Sequence, residues 1–421
     1  MNAIEVTKVI NYSIGALFFV CYAYQFVYMV VSTLKRPKKF ADADPHLFAV
    51  MIAARNEENV IAQLIDSIRS QNYPADMVDI YVVADNCTDG TAEAARRAGA
   101  TVFERFNKTN IGKGYALDFL FSQVALTKQN KIYDAYIVFD ADNLLDENYF
   151  REMNKAFAAG YDIITCYRNS KNYADNWVSA GSALWFMREA RQLNSARMIL
   201  GCSAAVSGTG FLVSRGVIEH YDGWKFHMLT EDIEFTLDNV ARGVRIGYCD
   251  TAMVYDEQPT DFSQSWSQRK RWSKGNIKCS LKYFPKLLKR FFRTGEFSAL
   301  DMAMTIMPAL TLTFVGIAFQ VSVLVFSAFF YRYALIPVVG MMLRALLSSY
   351  VLAFCIGTLT LMTEWNNIEC PAPKKVASLF TFPIFMLTYA PISIIAVFTK
   401  PEWKPIRHKV SISAKEFKKI G

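Results

Sequence analysis

Acidic residues gather where apolar runs end, and that is where chemistry is to be sought first. Phe139-Asp-Ala-Asp-Asn143 sets Asp140 and Asp142 directly after such a run. Two carboxylates one residue apart at a strand end can share a hard divalent cation and the phosphates it neutralises, although acidic pairs also simply end strands. Ala84-Asp-Asn-Cys-Thr-Asp-Gly90 closes another apolar run. Asp85 there could accept hydrogen bonds from a uracil or ribose edge, while Thr88 or Asp89 caps the next helix. Ala53-Ala-Arg-Asn-Glu57 closes a third. Arg55 and the free N–H groups of a helix start could hold a diphosphate there. Read plainly, the segment is a helix start with Asn56 as cap and Glu57 and Glu58 favouring the dipole. Ile111-Gly-Lys-Gly-Tyr-Ala116 holds Lys113 between glycines. It lacks the full G-x-x-x-x-G-K-[ST] pattern, which argues against an ATPase. A lysine reaching a sugar diphosphate and a solvated loop lysine both fit.

Two further motifs lie downstream. Leu229-Thr-Glu-Asp-Ile233 puts Glu231 and Asp232 at a loop-to-helix junction, with Thr230 as candidate cap of a helix through Phe235, Leu237 and Val240. A carboxylate held there could take a proton from an attacking hydroxyl; a capping box alone would also account for the acids. In Gln268-Arg-Lys-Arg-Trp272, Gln268, Arg271 and Trp272 occupy neighbouring helical positions. Arg271 could clamp phosphates and Trp272 could stack on a sugar ring. The plainer reading is an interfacial helix anchored at lipid headgroups.

The elements that must position these residues follow from periodicity. From about His46 to Cys249, strands alternate with helices: Leu47–Ile52, Val78–Ala84, Ala135–Phe139 and Asp162–Tyr167 read as strands. Ile61, Leu64, Ile65 and Ile68 repeat at helical spacing, and Thr91–Ala98 is a short helix closed by Gly99. This alternation predicts an α/β fold with a mostly parallel sheet, whose ligands sit at the carboxyl ends of the strands.

Hydrophobic residues make up 52% of the 421, and they gather at the two ends. Residues 9–31 carry no formal charge and are long enough to cross a bilayer; Lys35, Arg36, Lys38 and Lys39 follow, marking a retained anchor with a cytoplasmic flank. Residues 40–260 form the predicted cytoplasmic catalytic domain and residues 261–300 interfacial helices lying on the membrane. Residues 301–399 hold apolar membrane segments: Met302–Tyr331, Tyr333–Met362 (apolar apart from Arg344) and Val376–Phe398, which carries Pro383 and Pro391. A basic tail, 400–421, is expected in the cytoplasm. Three crossings after the catalytic domain would put that tail outside, so the Pro-broken segment is expected to be re-entrant or interfacial. The net charge of +8 comes without a basic stripe of interleaved aromatics, so no nucleic-acid partner is expected. Eight cysteines without C-x-x-C spacing give neither a zinc site nor a disulfide framework and suit a reducing compartment.

Taken in order, the motifs resemble those of processive family 2 glycosyltransferases, the group of cellulose, hyaluronan, chitin and poly-N-acetylglucosamine synthases. The most specific part is the series D-x-D at Asp140 and Asp142, T-E-D at Thr230–Asp232 and Q-x-x-R-W at Gln268–Trp272. The resemblance covers about residues 48–276. It implies a GT-A domain and a membrane-embedded, inverting hexosyltransferase that polymerises a β-linked polysaccharide from UDP-glucose or UDP-N-acetylglucosamine. By the same resemblance Glu57 and Asp85 contact the uridine, Asp140 lies by the nucleotide and Asp142 binds Mg²⁺ or Mn²⁺. Asp232 is the general base, Lys113, Gln268 and Arg271 line the diphosphate, and Trp272 sits under the acceptor sugar. Ser207-Gly-Thr-Gly210 falls where the family has an acceptor-site motif, which places Gly208, Thr209 and Gly210 near the acceptor. The implied partners are a UDP-sugar, a growing glycan and the lipid bilayer of the cell membrane. A gating-loop motif after Trp272 and a cyclic-dinucleotide domain are missing. A non-processive transferase adding one sugar to a lipid is the nearest rival. A transporter with a soluble regulatory domain is a remote one, since only Arg344 would mark an ion path.

Overall fold

The computed structural model describes residues 3–127 and 131–399; the basic tail, 400–421, lies outside the described residues. The chain opens with α1 (Ala3–Leu34) and then builds an α/β sheet. In chain order come β1 (Phe48–Ala54), α2 (Ile61–Arg69), β2 (Val78–Asp85), α3 (Thr91–Arg97), β3 (Thr101–Arg105), α4 (Lys113–Thr127) and β4 (Ala135–Asp140). After β4 follow the short β5 (Leu144–Leu145), α5 (Tyr149–Ala158), β6 (Ile163–Ser170) and α6 (Trp177–Arg188). A π-helical turn, Glu189–Asn194, joins α6 to α7 (Ser195–Ile199). Then come β7 (Phe211–Ser214), α8 (Arg215–His220), α9 (Glu231–Arg242), β8 (Ile246–Asp256) and the long α10 (Phe262–Thr294).

The eight strands lie in the order β3-β2-β1-β4-β7-β6-β8-β5. β3, β2, β1 and β4 are parallel; β7 pairs antiparallel with both β4 and β6, and β6 runs parallel to β8. Two reversals across β7 restore direction, so β1, β2, β3, β4, β6 and β8 all end at one edge of the sheet. β1 is an unbroken apolar run because helices cover both of its faces. One core packs α4, α6, α9 and α10 against the sheet, and α2, α3 and α5 pack on the other side.

Among the described residues, four helical stretches are long and apolar enough to cross a membrane: residues 4–34, 297–330, 332–367 and 372–398. The second comprises α11 (Phe297–Ile306) and α12 (Pro308–Phe330), the third centres on α13 (Leu335–Glu364), and the fourth comprises α14 (Ala372–Leu387) and α15 (Tyr389–Phe398). Prolines set both breaks. Pro308 opens α12, and Pro391 lacks the N–H that would bond back to residue 387. α12 leaves the sheet domain and α13 returns to it: at its end Glu364 accepts from Tyr167 at 2.6 Å and lies 3.3 Å from Arg191. The fourth stretch touches the sheet domain and α10 at both ends. Lys374 donates to the carbonyl of Ala174 at 2.9 Å, and Lys274 donates to that of Val397 at 2.9 Å.

The interfacial region expected at 261–300 is largely one helix. α10 starts at Asp261, whose side chain accepts from Gln264 N at 2.8 Å, and ends at Gly295 with φ of 72°. A continuous amphipathic pattern favours one long rod over several short helices. Arg197 joins the two parts of the molecule. Fully buried, it donates to both oxygens of Asp301 on α11 at 2.7 and 3.0 Å, and Tyr24 and Tyr28 of α1 donate to the same carboxylate at 2.8 and 2.9 Å.

Candidate active site

The common edge of the sheet is where the acidic motifs come together. Asp85 ends β2, Asp140 ends β4, Arg168 sits near the end of β6 and Asp256 ends β8. All four line a single cavity of about 910 Å³. Arg55, Glu57, Lys113, Asp142, Gly208, Glu231, Asp232, Gln268, Arg271 and Trp272 line it too.

The loops after β1 and β2 are woven into one rim. Asn56 adopts the left-handed conformation, φ 59°, and its Oδ1 accepts from Thr88 N at 2.8 Å. Glu58 Oε2 accepts from Gly90 N and Thr91 Oγ1 from Glu57 N, each at 2.8 Å. The helix expected directly after Arg55 begins only at Ile61, without a side-chain cap; Asn56 spends its side chain on the neighbouring loop instead. Asp89 Oδ1 accepts from Thr91 N at 3.1 Å at the start of α3. Asp85 is 5% exposed, and its Oδ1 accepts from Arg105 at 2.5 Å and from Asn86 at 3.0 Å.

Lys113 opens α4 and ties the two acidic motifs together. Its Nζ donates to Asp140 Oδ1 at 2.5 Å and to the carbonyl of Gly208 at 2.7 Å, and lies 3.9 Å from Glu231. The solvated-loop reading of this lysine is excluded by that geometry. The charged partners raise its pKa against the opposing effect of burial. Asp142 Oδ2 accepts from Glu257 N at 3.0 Å, which aims the carboxylate along the β8 end. Arg168 donates through Nε to Asp256 at 2.6 Å and through Nη1 to the carbonyl of Ser207 at 3.0 Å.

The T-E-D acids stand at the start of α9, where the helix dipole favours carboxylates. The Thr230 side chain does not cap this helix. It faces Cys279 at 3.6 Å, and Glu234 accepts from the N–H groups of His227 and Met228 at 3.0 Å each. Gly275 on α10 lets the two helices close: a Cβ there would meet Thr230 Oγ1 at 2.5 Å. That approach brings Arg271 to the carbonyl of Leu229, 2.9 Å, beside the acids. Burial pushes Glu231 up to about 7, opposed by Lys113 and reinforced by Asp232. Burial raises Asp232 as well and lowers Arg271. Trp272 meets Phe186 edge-on at 5.9 Å.

Thr209 and Gly210, expected near the acceptor, do not line the cavity. Thr209 is 1% exposed; it accepts from Asp140 N at 2.9 Å and donates to Asn143, so it braces the D-x-D turn from behind. Gly210 has φ of 62° and is packed against Cys166. Only Ser207 and Gly208 reach the cavity, and Gly208 crowds Asp232: a Cβ there would lie 3.3 Å from its Oδ2. Arg168, Asp256, Arg188 and Glu189 are cavity residues that the motifs did not single out. The strand-end rule would have found the first two, because Arg168 and Asp256 close β6 and β8.

Residues 45–275, more than half of the chain, match the family described as Glycosyltransferase like family 2. The chain belongs to that family, and its sheet is of the GT-A type. Over 264 residues it is 26% identical to a probable glycosyltransferase, YdaM, of Bacillus subtilis, covering 57% of this chain and 58% of that one. Over 241 residues it is 26% identical to a beta-monoglucosyldiacylglycerol synthase of Synechocystis, covering 56% and 49%. Over 244 residues it is 22% identical to a poly-beta-1,6-N-acetyl-D-glucosamine synthase of Staphylococcus aureus, covering 57% of each. The matched part thus spans about half the length of these relatives. A solved mannosyltransferase of Pyrobaculum calidifontis, in complex with GDP-Man and Mn²⁺, covers 91% of this chain and 96% of its own with a TM-score of 0.56 at 15% identity, a likeness of fold.

Proposed function

We propose that this chain moves a hexose, with inversion, from a nucleoside diphosphate sugar to a hydroxyl on an acceptor presented from the bilayer. One observation carries this reading. The cavity that begins among Arg55, Glu57, Asp85 and Asp140 continues past Asp232 into a cleft lined by Leu310, Phe314, Leu352, Ile356 and Ile394 of the apolar helices. A charged pocket opening into an apolar one suits a polar donor and an amphiphilic acceptor meeting at the boundary.

In this reading Arg55 and Arg271 hold the diphosphate, and Glu57 and Asp85 hold the nucleoside, with UDP as the donor nucleotide. Asp140 and Asp142 offer hard oxygen donors on one turn, and among the described residues no cluster of three or more His, Cys, Asp or Glu side chains could hold an ion alone. The pair therefore fits Mg²⁺ or Mn²⁺ shared with the donor's phosphates. Such an ion supplies neutralising charge to the departing diphosphate. Asp232 takes the proton of the acceptor hydroxyl. The hydroxyl oxygen then bonds to the anomeric carbon as the bond to the diphosphate oxygen breaks on the opposite face. Lys113 holds Asp140 and Glu231 in register with that event, and Trp272 lies under the acceptor.

The flank at Lys35–Lys39 sets the catalytic side in the cytoplasm. The contacts of residues 372–398 with the sheet domain and α10 support a segment that does not cross.

Processive polymerisation is the second reading, favoured by Trp272 within Q-x-x-R-W and by the likeness to poly-beta-1,6-N-acetyl-D-glucosamine synthases. The deciding experiment gives purified enzyme in lipid nanodiscs a panel of radiolabelled nucleotide sugars. Label that partitions into solvent as a short glycolipid supports the first reading; a long water-retained polymer overturns it in favour of the second.

A further inference from the structure

The cavity's two ends are joined by a wall segment that the catalytic reading leaves unused. It is the end of α6 and the π-helical turn after it, which bring Trp185, Arg188 and Glu189 to the cavity. π-helical turns concentrate at functional sites, because the wider turn re-aims side chains that a regular helix would place elsewhere.

Arg188, like Arg269 on α10, is a buried arginine outside the ion pairs that hold the others. Arg197 is neutralised by Asp301 and Arg168 by Asp256. Arg188 is 8% exposed, yet among the described residues no carboxylate forms an ion pair with it. Its Nη2 donates to Gln25 Oε1 at 2.9 Å, and its Nε is buried with no hydrogen-bond partner. The adjacent Glu189 is itself held above the usual carboxylate range by burial. Burial likewise lowers Arg188 to about 10, still cationic at neutral pH. Glu189 offsets that burial only through space, and a buried cation lacking a direct ion pair gains from a further anion. The cavity it lines also holds the acids Glu231 and Asp232 and the apolar Leu310, Leu352 and Ile394.

We propose that Arg188, steadied by Gln25, is the receptor for an oxyanion on the acceptor, so that the preferred acceptor is a lipid carrying a phosphate group beside its reactive hydroxyl. The guanidinium presents a planar fork that matches a phosphate, and the side chain lines the cavity without an ion-paired carboxylate. The lipid's chains would then occupy the cleft between Leu310, Leu352 and Ile394 while its hydroxyl faces Asp232. The inference rests on the membrane-borne acceptor proposed above and adds the charge of that acceptor.

The test compares two lipids with similar chains and free hydroxyls, phosphatidylglycerol and diacylglycerol, in nanodiscs of otherwise neutral lipid. The wild-type enzyme is expected to favour the phosphate-bearing lipid at least tenfold in kcat/KM. R188Q is expected to lose that preference, its value for phosphatidylglycerol falling to that for diacylglycerol, and R188K to restore part of it. Native mass spectrometry of delipidated wild type and R188Q gives the same comparison as binding, without turnover. The wild-type ratio tests the inference even if R188Q fails to fold. Equal use of both lipids, or preference for diacylglycerol, overturns the anionic-acceptor inference and leaves the membrane-borne acceptor standing. A water-soluble polymer with neither lipid labelled overturns both.

Discussion

In the proposed function the cavity has a donor half and an acceptor half, and the two are built by different means. The donor half is made from strand ends. Asp85, Asp140 and Asp256 project from one edge of a single sheet, and their partners Arg105, Lys113 and Arg168 come from loops and ends within the same domain. Each of these three acids has a basic partner close by. The acceptor half is made from helices that meet across long stretches of sequence: α1 with α11, α6 with α14, α10 with α15. Its polar groups are few, and its walls depend on how those helices are held against the sheet. The first half is specified by local chemistry and the second by packing at a distance. Substitutions in the first should therefore alter the chemical step, and substitutions in the second should alter acceptor handling or stability.

The sharpest break of that contrast is Asp232→Asn, since Asp232 stands where the halves meet. Loss of a general base costs roughly 10³-fold in kcat, about 4 kcal/mol of barrier. Binding of the donor, measured by calorimetry, is expected to survive. Normal turnover in this variant would remove Asp232 as the base. Next is Asp301→Asn, on the acceptor side. It leaves Arg197 buried with its ion-paired carboxylate gone, and removal of one partner of a buried pair costs about 3–5 kcal/mol. The measurement is thermal unfolding in detergent. An unchanged midpoint would show that the Arg197–Asp301 contact does not hold the two parts together.

Chelation of divalent metal addresses the donor half alone. Loss of the neutralising charge is expected to lower activity about a hundredfold, roughly 3 kcal/mol, with recovery on adding Mn²⁺ or Mg²⁺. Full activity in excess chelator would sink the assignment of Asp140 and Asp142 to a metal. Trp272→Ala is a smaller effect on the acceptor side: an aromatic face is worth about 1 kcal/mol, so KM for the acceptor should rise roughly fivefold. A rise in KM for the donor instead would place Trp272 in the wrong half.

The same contrast accounts for what could be read from the chain. The apolar runs at 48–54, 78–85 and 135–140 are strands, and the acids that follow them meet as strand-end logic requires. Period and composition suffice there because a parallel sheet aligns its carboxyl ends regardless of loop detail. The errors are local competitions between side chains. Thr230 looked like a cap, yet Glu234 reaches back to the loop first. The family resemblance puts Thr209 near the acceptor, and its hydroxyl is spent on the D-x-D turn. Arg188 carries no motif; it lies where the end of α6 meets Gln25 of α1, and no local pattern encodes that meeting.

The smallest expected effect tests how finely the boundary between the halves is tuned. Glu231 and Asp232 are adjacent and buried, and each ionised carboxylate opposes the other. Burial holds Glu231 at about 7 and raises Asp232. A base works only when ionised, so kcat/KM is expected to fall as pH drops through a limb lying above the ordinary carboxylate range. Glu231→Gln removes a negative neighbour while keeping shape and hydrogen bonds. Ionising Asp232 then becomes easier, and the acidic limb should move to lower pH. Lys113 would still be held by Asp140 at 2.5 Å, so the donor side should keep its arrangement. A limb that stays put would mean that the titrating group is not coupled to Glu231. A limb that moves upward would mean that Lys113 had swung away from the acids, and that its charge, rather than the repulsion between neighbours, governs the base.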